Sequence, residues 1–172
     1  MGLNVDYCVR CGQPMIDKKT DAGTRRRCSQ PTCGWVFWNN PTPVVAAVVE
    51  RNGHVVLVRS VGWPENWYGL VTGFLEAKED PSEAVCREVE EELGLSVASP
   101  KLIGVYPFRR MNQVIIAYHV TANDGVIELD MQELAGFKEV PLEKARPWRA
   151  GTGYALRDFL VTRGHTPNFI GE

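Results

Sequence analysis

Residues 73–95, GFLEAKEDPSEAVCREVEEELGL, hold eight carboxylates, four of them between Glu88 and Glu92. So dense a block of negative charge costs folding free energy unless positive charge meets it. The block is also punctuated as one element. Asp80 is placed to cap a helix, Pro81 suits the first turn, Glu83 sits at the third position, and Gly94 follows Leu93 as a stop. These signals predict a helix over Pro81–Leu93. Glu88, Glu91 and Glu92 are related by steps of three and four, so they share one face, beside a stripe of Val85, Val89 and Leu93 that must meet a core. The acids therefore border the buried face. Hard oxygen donors converging there suit Mg²⁺ or Mn²⁺. A solvated acidic face is the common meaning of such a run, but it leaves the loop opened by Gly73 without a purpose.

The cysteines mark a second element. Cys8-Val-Arg-Cys11 and Cys28-Ser-Gln-Pro-Thr-Cys33 are two short pairs, each with a glycine (Gly12, Gly34) after its last cysteine. Tight turns of this kind aim backbone N–H groups at thiolates. The spacing predicts a four-thiolate structural Zn²⁺ site in a ribbon over residues 1–40, because a segment this short holds no core without a staple. The polar stretch 13–27 is the expected hairpin. Arg25, Arg26 and Arg27 read first as a solvated face, with phosphate or nucleic acid as the alternative. Trp35, Phe37 and Trp38 are expected to pack toward the following domain, with base stacking as the alternative.

Residues 41–172 read as one α/β domain. Strands are expected at 44–49, 54–59, 69–75, 101–106, 113–120 and 133–140, with a last helix over 151–163. The loop 61–68 carries Trp63, Trp67 and Tyr68, which either stack on a nucleobase or wall the core. Cys86 reads as a small core residue, and His54, His119 and His165 have no partner legible in sequence. A formal net charge of −2 over 172 residues gives no support to general polyanion binding. No apolar run spans a membrane, Met1 to Asp6 does not read as a signal peptide, and the cytoplasm is the expected compartment.

Residues 73–95 resemble the Nudix box, G-x5-E-x7-R-E-U-x-E-E-x-G-U, at each fixed position: Gly73, Glu79, Arg87, Glu88, Val89, Glu91, Glu92, Gly94 and Leu95. The resemblance implies an α/β/α sandwich with a mixed sheet. It implies Glu88, Glu91, Glu92 and the Gly73 carbonyl as Mg²⁺ or Mn²⁺ ligands, Arg87 as the residue that orients the carboxylates, and Glu79 as a supporting loop acid. Lys78 stands where many members have glycine. The family also uses a glutamate from a later loop. Glu133, ahead of Phe137, fits that place best, with Glu128 and Glu139 as lesser candidates. A dimer is the family's habit.

A cysteine ribbon before such a domain, and the run Gly73-Phe74-Leu75-Glu76, are similar to the NADH pyrophosphatase subgroup and to some ADP-ribose or FAD pyrophosphatases. That implies hydrolysis of NADH, ADP-ribose, FAD or a similar nucleoside diphosphate derivative to two monophosphates, with Trp67 and Phe108 as candidate substrate contacts. The subgroup's SQPWPFPxS signature is reduced here to Pro107-Phe108 within 103–110, and Arg109 and Arg110 follow it. The alternatives are an enzyme that removes an NAD-type cap from an RNA 5′ end, and a non-catalytic nucleotide sensor.

Overall fold

The protein is described here by a computed structural model covering residues 5–21 and 23–171. The start of the Met1 to Asp6 segment, read above for a leader, lies outside the described residues, as does Ala22 in the hairpin turn. Two compact units emerge, Met1–Pro41 and Thr42–Glu172.

In the first unit, β1 (Met15–Thr20) and β2 (Gly23–Cys28) form an antiparallel hairpin, and β3 (Val36–Phe37) adds to β2. Among the described residues the buried hydrophobics of this unit are Cys8, Met15 and Cys28, with Trp35 and Phe37 packed against them and stacked on each other at 6.3 Å between centroids. Trp35 and Phe37 are two residues apart, so they share a face of the strand. That face carries the ribbon's own cysteine cluster. Trp38 follows β3 and stays 61% exposed.

In the second unit the 44–49 run becomes the centre of a mixed sheet. β4 (Thr42–Arg51) lies parallel to β8 (Gln113–Ala122) along one edge. Its other edge is shared: the first half pairs with β6 (Val71–Phe74) and the last residues with β5 (His54–Ser60), both antiparallel. β7 (Val97–Phe108) and β9 (Leu134–Pro141) extend the sheet beyond β8 and β5.

Burial on both faces explains why the run does not alternate. Val45, Ala47 and Val49 pack with α1 (Pro81–Leu93), whereas Ala46 and Val48 pack with α2 (Gly153–Thr162). One helix on each side of a mixed sheet is the sandwich expected. Among the described residues no helix is long and apolar enough to cross a membrane.

One polar group interrupts the second core. Glu50 is 8% exposed, and its carboxylate accepts from His119 Nε2 at 2.8 Å and from Arg163. The His119 ring stacks on Phe159 at 4.8 Å. His119 gains this partner through the parallel β4–β8 register, which sets Val48 beside it. Burial holds the His119 pKa below the usual histidine value, against the pull of Glu50.

The folded state thus binds the His119 proton less readily than the unfolded chain does, so His119 itself costs stability as pH drops below about 6.5. His119→Gln, which keeps a hydrogen-bonding side chain toward Glu50, should flatten this dependence. Urea unfolding between pH 7 and pH 5 checks it; identical pH slopes in the two proteins would remove the assignment.

Candidate active site

The site is built where β6 ends and α1 begins. Asp80 caps α1, accepting the Ser82 N–H at 2.8 Å and the Ser82 hydroxyl at 2.6 Å. Gly94 closes it at φ 65°, a left-handed conformation that favours glycine. Both ends fall where the sequence put them. The helix buries Val85, Val89 and Leu93, and with them Glu88 and Glu92, which are 9% and 6% exposed.

Arg87 holds the acidic cluster in place. Its Nε and Nη2 donate to the two oxygens of Glu79 at 2.7 and 3.0 Å. Its Nη1 donates to Glu88 at 2.8 Å and to Glu91 at 2.9 Å, and Nη2 also reaches the Phe74 carbonyl at 3.3 Å. Loop acid, helix acids and strand end are therefore tied to one guanidinium. Hydrogen bonding from Arg87 holds the Glu79 carboxyl below the usual range. Gly73 is needed for space, since a Cβ there would lie 1.8 Å from the Glu88 carboxyl carbon. Glycine at 73 thus seats the Glu88 carboxylate against β6.

Gly73, Arg87, Glu88, Glu91 and Glu92 line a cavity of about 530 Å³ together with Glu76, Gln113, Asp130 and Glu133, while Glu79 lies outside its lining. Glu92 is the most perturbed acid in it. Its pKa is pushed up to about 8, first by burial and then by the charges of Glu88 and Glu133, while the Thr72 N–H pulls the other way. Glu88 is also raised, chiefly by burial, against Arg87. Glu92 Oε2 is buried with no hydrogen-bond partner. A buried carboxylate oxygen without a donor, among other carboxylates, is a place that a cation fits. The carboxylates do not form a tight ligand cluster among the described residues, since Arg87 occupies oxygens of both Glu88 and Glu91.

The later-loop candidates separate cleanly. Glu133 lines the cavity. Glu128 sits by Gly94, outside the lining, and Glu139 pairs with Arg51 at 3.4 Å. Asp130, which sequence reasoning missed, also lines the cavity, because its N–H donates to the Glu92 carbonyl at 3.1 Å and pins the loop to the end of α1. Trp67 and Phe108 are not brought to the cavity. Trp67 stays 60% exposed on the β5–β6 loop. Phe108 packs into the α2-side core beside Gly151, because the β7 register turns its ring to that face. Arg109 and Arg110 form an exposed 3-10 turn after it.

In the ribbon, the four cysteine sulfurs Cys8, Cys11, Cys28 and Cys33 lie within 4.8 Å of one another, with Cys8–Cys33 at 3.7 Å and Cys11–Cys28 at 3.4 Å. A tetrahedron of zinc–sulfur bonds of about 2.3 Å has edges of about 3.8 Å, so the set fits one tetrahedral ion. Burial alone would raise the Cys8 thiol, but the N–H groups of Arg10 and Cys11 and the neighbouring thiols bring it to about 7. Cys28 is pushed up to about 12 by burial and by the surrounding thiols, against the Gln30 N–H. The predicted turns do aim N–H groups at sulfur.

The fold and the box place the chain in a known family. The NUDIX domain matches residues 40–159, and the chain belongs to the NUDIX family. It is 32% identical over 127 residues to the human NAD(P)H pyrophosphatase NUDT13, mitochondrial, covering 73% of this chain and 35% of that protein. It is 28% identical over 160 residues to the NAD-capped RNA hydrolase NudC of Pseudomonas aeruginosa, covering 91% of this chain and 56% of that one. The chain thus spans between about a third and just over half the length of these curated relatives. In fold it is similar to the crystal structure of a NUDIX hydrolase from Nitrosomonas europaea, with a TM-score of 0.76, 22% identity and 96% of each chain covered. A UDP-X diphosphatase shares the fold at a TM-score of 0.60 and 22% identity, over 81% of this chain and 70% of that one.

Because Glu88 fills the space that a Cβ at 73 would need, Gly73→Ala should destabilise the second unit by about 1–3 kcal/mol. Glu88→Ala in the same chain should relieve most of that cost, giving a coupling of about 0.5–3 kcal/mol. Urea unfolding of the double-mutant cycle measures it, and additive effects would contradict the close approach.

Proposed function

We propose that the chain hydrolyses the pyrophosphate bond of a nucleoside diphosphate derivative, a dinucleotide of the NADH type, to two monophosphates. The observation that carries this reading is the partnerless buried oxygen of Glu92 in an acid-lined cavity. A pyrophosphate is itself an anion, so these acids repel it unless cations stand between. Glu88, Glu91, Glu92 and the Gly73 carbonyl would hold Mg²⁺ or Mn²⁺, which suit hard oxygen donors. Bound there, such ions supply charge neutralisation of the phosphates and a lowered pKa for water.

The chain's own residues set the geometry. Arg87 fixes Glu79, Glu88 and Glu91 relative to the β6 end, and binding requires some of its contacts to Glu88 and Glu91 to be exchanged. Glu133, which lines the same cavity, would take the proton of the attacking water. The oxygen of that water bonds to one phosphorus, the bridging P–O bond breaks, and the other phosphate leaves. The ribbon cysteines hold one structural Zn²⁺, as a full set of four thiolates leaves no open position. Removal of an NAD-type cap from RNA is the second reading, supported by the likeness to NudC over 91% of this chain.

Purified protein with Mg²⁺ or Mn²⁺, offered NADH, ADP-ribose, FAD and NAD-capped RNA, should cleave at least one; cleavage of none would sink the proposal. Glu92→Gln should lower turnover at least about a hundredfold. The same change removes a buried, repelled charge, so it should raise the urea midpoint of the metal-free chain above pH 8. Loss of turnover together with loss of stability would assign Glu92 a structural role instead. Chelation under denaturing conditions should release about one zinc per chain, and finding none would remove the zinc from the ribbon.

A further inference from the structure

The ribbon has a cleft of its own, about 370 Å³, lined by Thr24, Arg25, Arg26, Phe37, Trp38 and Asn39. We infer that this cleft binds single-stranded RNA, with a base stacked on Trp38 and the adjoining phosphate held by Arg25 and Lys18; in the cell this would be the RNA of a capped substrate, which rests on the second reading above.

Strand register puts these groups in a row. β1 and β2 pair Lys18 with Arg25 and Asp17 with Arg26. β2 and β3 pair Arg26 with Phe37. Side chains alternate faces along a strand. Asp17, Arg26 and Phe37 therefore share the cysteine face, while Lys18 and Arg25 share the opposite one. Trp38 follows β3 directly and lines the cleft together with Arg25.

The two faces differ in how their charges are met. Arg26 is committed on its own side, donating to the Met15 carbonyl at 3.1 Å and facing Asp6 at 3.5 Å and Asp17 at 3.9 Å. Arg25 has no acid opposite it. Its Nη1 donates to the neighbouring Thr24 carbonyl at 3.2 Å, and its cross-strand neighbour is the cation Lys18. Opposed like charges destabilise a strand pair. An anion beside Lys18 and Arg25 would offset that repulsion.

Charge and shape identify the occupant. Residues 1–41 carry six Arg and Lys against three Asp, a net +3, while the whole chain is −2, so the remainder carries −5. With four thiolates around one Zn²⁺ the ribbon still keeps +1, and it is the part of the chain that attracts a polyanion. Trp38 is an exposed ring next to the cations, and a ring face stacks on any base that is itself unstacked. A duplex hides its base faces, so the cleft selects single strands.

The full-length, zinc-loaded chain tests this with an uncapped, 5′-hydroxyl ten-nucleotide RNA followed by fluorescence anisotropy. Trp38→Ala should weaken binding about tenfold, Trp38→Phe should restore most of it, and Arg25→Ala should lower the slope of log affinity against log salt by about one. The matching duplex should bind more weakly than the single strand. Variants that bind as the wild type does, or a duplex that binds as tightly, would overturn the site. NADH hydrolysis by Trp38→Ala and Arg25→Ala should stay at the wild-type rate. If the wild type also fails to cleave any nucleotide, the hydrolase proposal falls while RNA binding still decides this one. If Trp38→Ala loses its zinc, the decision passes to Lys18→Ala and Arg25→Ala, on the strand surface. An unchanged salt slope in both then overturns the site.

Discussion

One guanidinium, that of Arg87, reconciles a density of negative charge that would otherwise open this region of the fold. Glu79, Glu88 and Glu91 come from a loop and from two turns of a helix, yet each gives at least one oxygen to it. Hydrogen bonds to a charged group are the stronger kind. Here they also carry direction, because a planar fork fixes where each carboxylate lies. The contact from Arg87 to the Phe74 carbonyl extends the same restraint to β6. Strand end, loop and helix are thereby set in one geometry before any cation arrives.

That geometry depends on how β4 divides its edge. Its first half accepts β6 and its last residues accept β5. β6 thus ends against Val44 and Val45, and the chain leaves it directly for α1. Gly73 sits opposite Val45, and its missing Cβ leaves the space that the Glu88 carboxylate fills. Lys78, where many Nudix sequences have glycine, takes φ 70° in the loop between. The turn therefore keeps the left-handed conformation that glycine adopts readily, at a cost of about 1–2 kcal/mol to a lysine.

The helix was legible in the sequence because its signals are local: Asp80, Pro81 and Gly94 act within a few residues of themselves. The cysteine cluster was legible for the same reason, as each pair is a short turn. What stayed hidden needed register. His119 found Glu50 only through β4–β8 pairing across 69 residues. Asp130 reached the cavity only because its N–H docks on the end of α1. Phe108 was read as a substrate contact from a resemblance of short sequence, but which face a strand residue takes depends on the pairing of the whole strand. Bulges in β7 between Ala98 and Lys101, and between Leu102 and Gly104, shift that pairing, and sequence gives no warning of them.

The two buried carboxylates of the domain argue for function by their contrast. Glu50 and Glu92 are about equally hidden, at 8% and 6% exposure. Around Glu50 the fold supplies a donor for each oxygen, His119 and Arg163. Glu92 has no such cation: the nearest one before it, Arg87, lies five residues back and about 140° around the helix. Arg87 is turned to Glu79, Glu88 and Glu91, and Glu92 faces Glu88, Glu133 and Asp130 with one oxygen unmet. Isolated buried charge is among the costliest features that a core can carry. A chain that satisfies one buried acid fully and leaves another exposed to its own kind has placed the second for something that arrives from outside.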